Sequence, residues 1–311
     1  MSELKKGYIC AISSYLVWGL APIYFVAIKQ VEPLEVLAHR VISSAVFLSL
    51  ILIAQKRFSS TFSLLKSPRV VLSMLACTAF VLINWFTFIY AVSSGHTLES
   101  SFGYFILPLF SVAIGFFFLG ERLTKTQFIA LFFATLGIGY QMVLLGKIPW
   151  IALTLATSFA VYGLIRKQLQ VGPIQGVFLE TLFAMPLALL YLAYSLDRGE
   201  LVFAQPGQGK TTLLLSLAGL VTFVPLWLFA AGAKRMTYSA MGFIQFICPS
   251  MHFLLAVFAF GESLSFQRLL SFGLVWFGLS LLCLMPLWRG QWARLKQYRL
   301  RWRRRQSGLP I

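Results

Sequence analysis

Few side chains in this 311-residue chain can do chemistry, and those few lie within apolar runs. Glu35 and His39 stand four positions apart in EVLAHRV, with Arg40 adjoining. On a helix, residues four apart share a face, so acid and imidazole would sit one turn from each other. Arg40 would lie about 100° round from His39. Glu180 falls well inside another run, and Glu99 opens a third, followed by Ser101 and Tyr104. Asn84 and Trp85 lie mid-run, and Gln245 and His252 flank Pro249. Ionisable groups in such surroundings are costly, so they face a water-filled cavity or a partner; the chemistry is solute binding or proton relay. A plainer alternative stands beside it, in which Arg40 pairs with an acid and ties helices together. Arg40 stays charged, so the expected contact runs from Arg40 or His39 to Glu180 or Glu99, between helices, in one central polar cavity.

Other motifs carry less. AQPGQGKT, residues 204–211, fits a relaxed phosphate loop, but that loop works between a strand and a helix, and here it reads as a turn. Cys10, Cys77, Cys248 and Cys283 all fall in apolar runs with no CxxC pair, which points to packing rather than metal or disulfide chemistry. No HExxH set and no converging nucleophile and base are visible, so neither an enzyme nor a cofactor is expected.

The composition says what positions these residues. The chain is 59% hydrophobic and only 11% charged, against roughly 25% charged for a soluble domain. Lipid must serve as part of its solvent, and continuous apolar runs about twice the length of a barrel strand select helices. Ten spans are expected near 8–28, 34–54, 70–92, 99–119, 127–145, 150–164, 174–194, 212–231, 238–260 and 266–287. The first follows Lys5 and Lys6 but is long, holds Trp18, Gly19 and Pro22, and reads as a retained helix rather than a cleaved signal.

The chain also repeats itself. FGYFILPLFSVAIGFFFLGERL, from Phe102, has a partial copy from Met241, MGFIQFICPSMHFLLAVFAFGESL. An offset of 141 places Pro249 on Pro108, Gly261 on Gly120, Glu262 on Glu121 and Gly278 on Gly137. Shared prolines, glycines and acids at one offset indicate a duplication. The prolines are expected to bend their helices; Gly120, Glu121, Gly261 and Glu262, just past helix ends, read as hinge or cap residues. With a cytoplasmic N-terminus, 20 Lys and Arg fall on the inside and 5 on the outside, which sets both termini in the cytoplasm. An odd number of spans per copy inverts the second. The expected fold is an all-α integral membrane protein with ten transmembrane helices as two inverted five-helix repeats (5+5), at 1–145 and 146–288, followed by a basic tail, 289–311.

The pieces YLVWGLAPIYF, EVLAHRV, NWFTFIYAV, LESSFGYFILPL, FLGERL and YGLIRKQ, spread over nearly the whole chain, resemble the drug/metabolite transporter superfamily with its EamA-type repeats. Within it the likeness is to the RarD branch, the bacterial chloramphenicol-sensitivity proteins. The resemblance implies an inner-membrane permease, with Trp18, Glu35, His39, Arg40, Asn84, Trp85, Glu99, Tyr104, Glu180 and Gln245 as cavity or coupling residues. The chain departs from the family pattern at Leu107, Phe246 and Cys248.

The function expected is a secondary transporter moving a small organic solute across the bacterial cytoplasmic membrane by alternating access, with proton coupling within reach of its His and carboxylates. A non-transporting membrane regulator or lipid handler is the alternative, and a membrane-embedded enzyme a weaker one. Expected partners are the solute, the bilayer and anionic lipid headgroups at the tail, where a nucleic acid is not expected despite the +17 net charge. A homodimer is also among the partners allowed.

Overall fold

A computed structural model describes residues 2–94, 97–146, 149–259, 266–267 and 269–282, without the side chains of 92, 93, 97–101, 145 and 256. Gly261, Glu262, Cys283 and the basic tail lie outside the described residues. The described chain is helical throughout, with no strand. In order the helices are α1 (Glu3–Ala27), α2 (Pro33–Ala54), α3 (Phe58–Ser63), α4 (Pro68–Ser93), α5 (Thr97–Phe118), α6 (Lys125–Leu145) and α7 (Trp150–Gln168). They continue with α8 (Pro173–Asp197), α9 (Gly209–Ser216), α10 (Ala218–Ala233), α11 (Tyr238–Gln245), α12 (Ile247–Leu254) and α13 (Leu269–Leu282). Among the described residues, 7 helical stretches are long and apolar enough to cross a membrane, α9 with α10 and α11 with α12 each counting as one. The described apolar parts of α5 and α13 are shorter, and the last turn of α7 carries Arg166 and Lys167.

Local chemistry sets the ends. Ser2 caps α1 by accepting from Lys5 N at 3.3 Å, and Thr124 and Gln127 form a reciprocal capping box on α6. Glu32 caps α2, with Pro33 at the first helical position. The expected ninth span is broken at Phe246 into α11 and α12. Pro249 has no N–H to give the Gln245 carbonyl, so the turn before it cannot close as a regular α-helix. By contrast α5 runs on through Pro108. The basic loop after α2 folds as well: Phe58 and Phe62 of α3 lie with ring centroids 5.8 and 6.0 Å from Phe178.

Contacts repeat under the 141-residue offset. Ser14 Oγ donates to Pro225 O at 2.7 Å, and Asn84 Nδ2 donates to Leu155 O at 2.9 Å. The offset carries Ser14 onto Leu155 and Asn84 onto Pro225, so α1 meets α10 as α7 meets α4. Trp18 meets its own counterpart, Phe159, edge to face at 5.4 Å. Residue i on j together with j on i is the mark of a two-fold relation.

The chain forms two compact units, Met1–Glu121 with Pro149–Ser263, and Arg122–Ile148 with Leu264–Ile311. The second unit holds α6 and α13, and its contacts are reciprocal too. A Cβ on Gly137 would lie 2.7 Å from Ser271 O, and one on Gly278 would lie 2.8 Å from Ala130 O. The offset exchanges these pairs. As numbers rise along α6 their partners fall along α13, so the two helices run antiparallel. Gly137→Ala and Gly278→Ala should each lower stability by roughly 1–3 kcal/mol through overpacking against backbone. Gly273→Ala in α13, whose Cβ meets nothing within 4 Å, should not. Thermal unfolding in one detergent reads the comparison, and three equal melting curves would contradict the reciprocal packing.

Candidate functional site

The first unit gathers the predicted residues into three groups. The first pins a connection. Glu35, 1% exposed, accepts from Val202 N at 3.1 Å and Phe203 N at 2.9 Å. The His39 ring stacks on Phe203 at 4.3 Å, with Nε2 4.0 Å from Glu35 Oε1. Glu35 by hydrogen bonds and His39 by its ring stack thus hold the segment between α8 and α9 against the start of α2. Asn84 and Gln245 are likewise buried ties: Asn84 also donates to Ser158 Oγ at 3.1 Å, and Gln245 Oε1 accepts from Ser111 Oγ at 2.8 Å.

The second group surrounds Arg40. Its Nε donates to Thr222 Oγ1 of α10 at 2.8 Å. Its guanidinium lies 4.9 Å from the Trp85 ring of α4 and 5.5 Å from the Phe25 ring of α1, close enough for cation–π attraction. Helices thus surround Arg40, yet it is only half-buried, as are Trp18, Trp85, Tyr104 and His252. His252 Nε2 is 3.2 Å from Trp18 O, Cys248 Sγ is 3.6 Å from His252, and the Tyr104 ring meets His252 edge to face at 6.0 Å. A cation, two indoles, a phenol and an imidazole thus each keep some accessible surface among packed helices. Glu99 has its backbone in α5, but its side chain lies outside what is described.

The third group corrects an expectation. Glu180 does not meet Arg40 or His39. Its Oε2 accepts from Tyr162 OH at 3.1 Å, and its Oε1 lies 3.4 Å from Nε of Arg166, a residue with 0% exposure. Arg166 Nη2 donates to Pro173 O at 3.1 Å. Gly176 makes the room, since a Cβ there would collide with the Arg166 guanidinium. The sixth span was expected to end at Leu164, leaving Arg166 in a loop; α7 in fact runs to Gln168. Tyr162 and Arg166, and Gly176 and Glu180, are pairs at helical i, i+4 spacing, and that pattern was the signal available.

Glu121 caps a helix other than its own. Its carboxylate accepts from Tyr238 N at 2.6 Å and Ser239 N at 2.8 Å, the first residues of α11. Lys167 lies 3.8 Å from it and donates to Ala233 O and Met236 O, carbonyls in and just beyond the last turn of α10. Acid at a helix start and cation at a helix end complement the two dipoles and clamp the turn between them. Gly120, at φ 63°, makes the left-handed turn that aims Glu121. Nearby Lys234 donates to Val171 O, and burial, with repulsion from Arg166 and then Arg235, pushes its ammonium down to about 8. Glu262, the duplicate of Glu121, lies outside the described residues.

Removing one partner of a buried ion pair strands the other charge. Glu180→Gln should therefore cost about 3–5 kcal/mol, and Arg166→Met combined with Glu180→Leu should recover much of it. Thermal unfolding of the single and double variants measures this coupling; additive losses would show that the two residues do not act as a pair.

The match to the EamA-like transporter family covers residues 5–141 and again 147–284. An uncharacterized transporter of Vibrio cholerae is 41% identical over 292 residues, covering 94% of this chain and 96% of that one. Protein RarD of Escherichia coli is 37% identical over 279 residues, covering 90% and 94%. The chloramphenicol-sensitive protein RarD of Pseudomonas aeruginosa is 28% identical over 275 residues, covering 87% and 91%. A solved crystal structure, 18% identical, superposes with a TM-score of 0.69 over 90% of this chain and 98% of its own, a likeness of fold. With two family matches spanning nearly its whole length and RarD proteins among its relatives, the chain belongs to the EamA-like transporter family as a RarD-like member, a multi-pass membrane transporter and not an enzyme.

Proposed function

We propose that this transporter is a secondary carrier that moves a small organic solute through the Arg40 chamber by alternating access. The carrying observation is that Arg40, Trp85, Trp18, Tyr104 and His252 keep accessible surface within a helical core, while Glu35, Asn84, Glu180 and Gln245 are buried and each bonded to another protein group. Aromatic faces and one cation suit a solute with a planar or aromatic part and polar substituents. The Pseudomonas relative is named a chloramphenicol-sensitive protein, which accords with such a solute. Protons are the proposed coupling ion, with His252 at the chamber as the group on which a proton could ride.

The architecture proposed is ten spans in two inverted five-helix halves, residues 1–145 and 146–288, with a basic tail after them. It is supported by the offset, by the reciprocal contacts and by the antiparallel run of α6 and α13. Exchanging the conformations of two such halves supplies inward-open and outward-open forms. The proposed orientation, in the cytoplasmic membrane with both termini inside, rests on the distribution of Lys and Arg. The Glu121–Lys167 clamp would then close the cytoplasmic end in the form seen here.

Two outcomes are expected. Reporter fusions after Gln55 and after Arg198 should give opposite signals, and identical signals would reject the proposed topology. In proteoliposomes screened with a panel of aromatic solutes, Trp85→Ala should lower uptake about tenfold, as loss of an aromatic contact would. Leu190→Ala, at a side chain 68% exposed on α8, should transport normally. Unchanged uptake in Trp85→Ala would reject the chamber as the solute site.

A further inference from the structure

One cavity of the first unit belongs neither to the chamber nor to the clamps. It has a volume of about 410 Å³ and opens where the start of α1, the chain just past α2, the start of α8 and the end of α10 come together. Its rim carries Lys6, Arg57 and Arg235. One carboxylate answers them: Glu3 takes Lys6 Nζ at 2.6 Å and Arg235 Nε at 3.0 Å. That acid meets Lys6 and Arg235 but not Arg57, so among the residues lining the cavity positive charge is left over. The same rim includes the first turn of α8. Gly172 caps that helix without a side chain to accept its leading N–H groups, and such a helix start attracts an anion.

Below the rim the walls change character. Ile9, Cys10, Trp227 and Ala231 line the cavity. Trp227 lies six residues before Ala233, the last residue of α10, which is about 9 Å along a helix. Ile9 is 53% exposed, and Leu4 and Leu16 on the same helix are also open, at 52% and 43%. A charged mouth at the helix ends thus leads into an apolar wall that runs toward the bilayer interior. A free phosphate would use the mouth and leave that wall uncovered.

We propose that this groove binds an anionic phospholipid, its phosphate at Lys6, Arg57 and the start of α8, and an acyl chain along Ile9 and Trp227. Basic pockets between helices at a membrane surface take acidic headgroups in this way. The lining residues named here are not residues of the basic tail, and the site does not depend on the solute chamber.

Cys10 provides a local reporter because it lines the groove and is partly exposed. The test uses the full chain, delipidated in dodecyl maltoside, with N-ethylmaleimide labelling of Cys10 quantified by peptide mass spectrometry. Phosphatidylglycerol should slow labelling, whereas phosphatidylcholine and soluble glycerol 3-phosphate should not. Lys6→Gln with Arg57→Gln should weaken protection by phosphatidylglycerol roughly 25-fold, about fivefold per charge. Native mass spectrometry of the same samples should show one tightly held phosphatidylglycerol lost in that variant. Trp227→Ala should weaken retention while keeping the preference for the anionic headgroup. Equal protection by both lipids, protection by glycerol 3-phosphate, or retention of phosphatidylglycerol unchanged in the double variant would each overturn the proposal.

Discussion

A charge in a lipid-solvated fold must find its counterpart inside the protein, because no water is there to take its place. That constraint governs this molecule. Arg166 and Glu180 lie fully inside, and each exists there because the other does. Tyr162 and the Pro173 carbonyl take up further polar capacity, and Gly176 yields the volume. Glu35 and Glu121 solve the same problem with backbone: each carboxylate gathers N–H groups that would otherwise go unpaired. Three acids that look alike in sequence thereby become three fasteners: Glu35 and Glu121 join segments distant along the chain, and Glu180 joins two consecutive helices.

What these fasteners leave over is the set of residues proposed to line the chamber. Arg40 is held by one hydroxyl and two aromatic faces, and part of its surface stays accessible. Cation–π contacts are weaker and less directional than a bidentate ion pair, so they fit a group that exchanges partners during a cycle. The clamp at Glu121 and Lys167 has a matching character. It joins the start of one helix to the end of another through a handful of charge-assisted hydrogen bonds, worth about 1.5–3 kcal/mol each. Interactions of that size hold one conformation without locking it.

The sequence was legible where chemistry is periodic or repeated. Pro108 with Pro249 and Gly137 with Gly278 revealed the offset, and the same offset pairs Ser14–Pro225 with Asn84–Leu155. Arg40 stood out because a guanidinium within an apolar run has few explanations. Partners were harder to read. Nothing local to Glu35 says that Val202 and Phe203 fold back onto it, or that Glu121 reaches the start of α11. Arg166 was set in a loop because hydropathy fades over the last turn of a helix, and one turn decides whether a cation is inside or out. The bend expected of Pro249 shows as a break at Phe246, in the turn before the proline.

The proposed opening of the chamber to each side in turn can be measured without knowing the solute. Trp85→Cys, in a chain with Cys10, Cys77, Cys248 and Cys283 replaced by serine, puts one thiol on the chamber wall. A membrane-impermeant thiol reagent should label it in right-side-out vesicles and also in inverted vesicles, because the chamber faces each side for part of the time. Labelling from one side only, or from neither, would contradict alternating access through Arg40 and its aromatic neighbours.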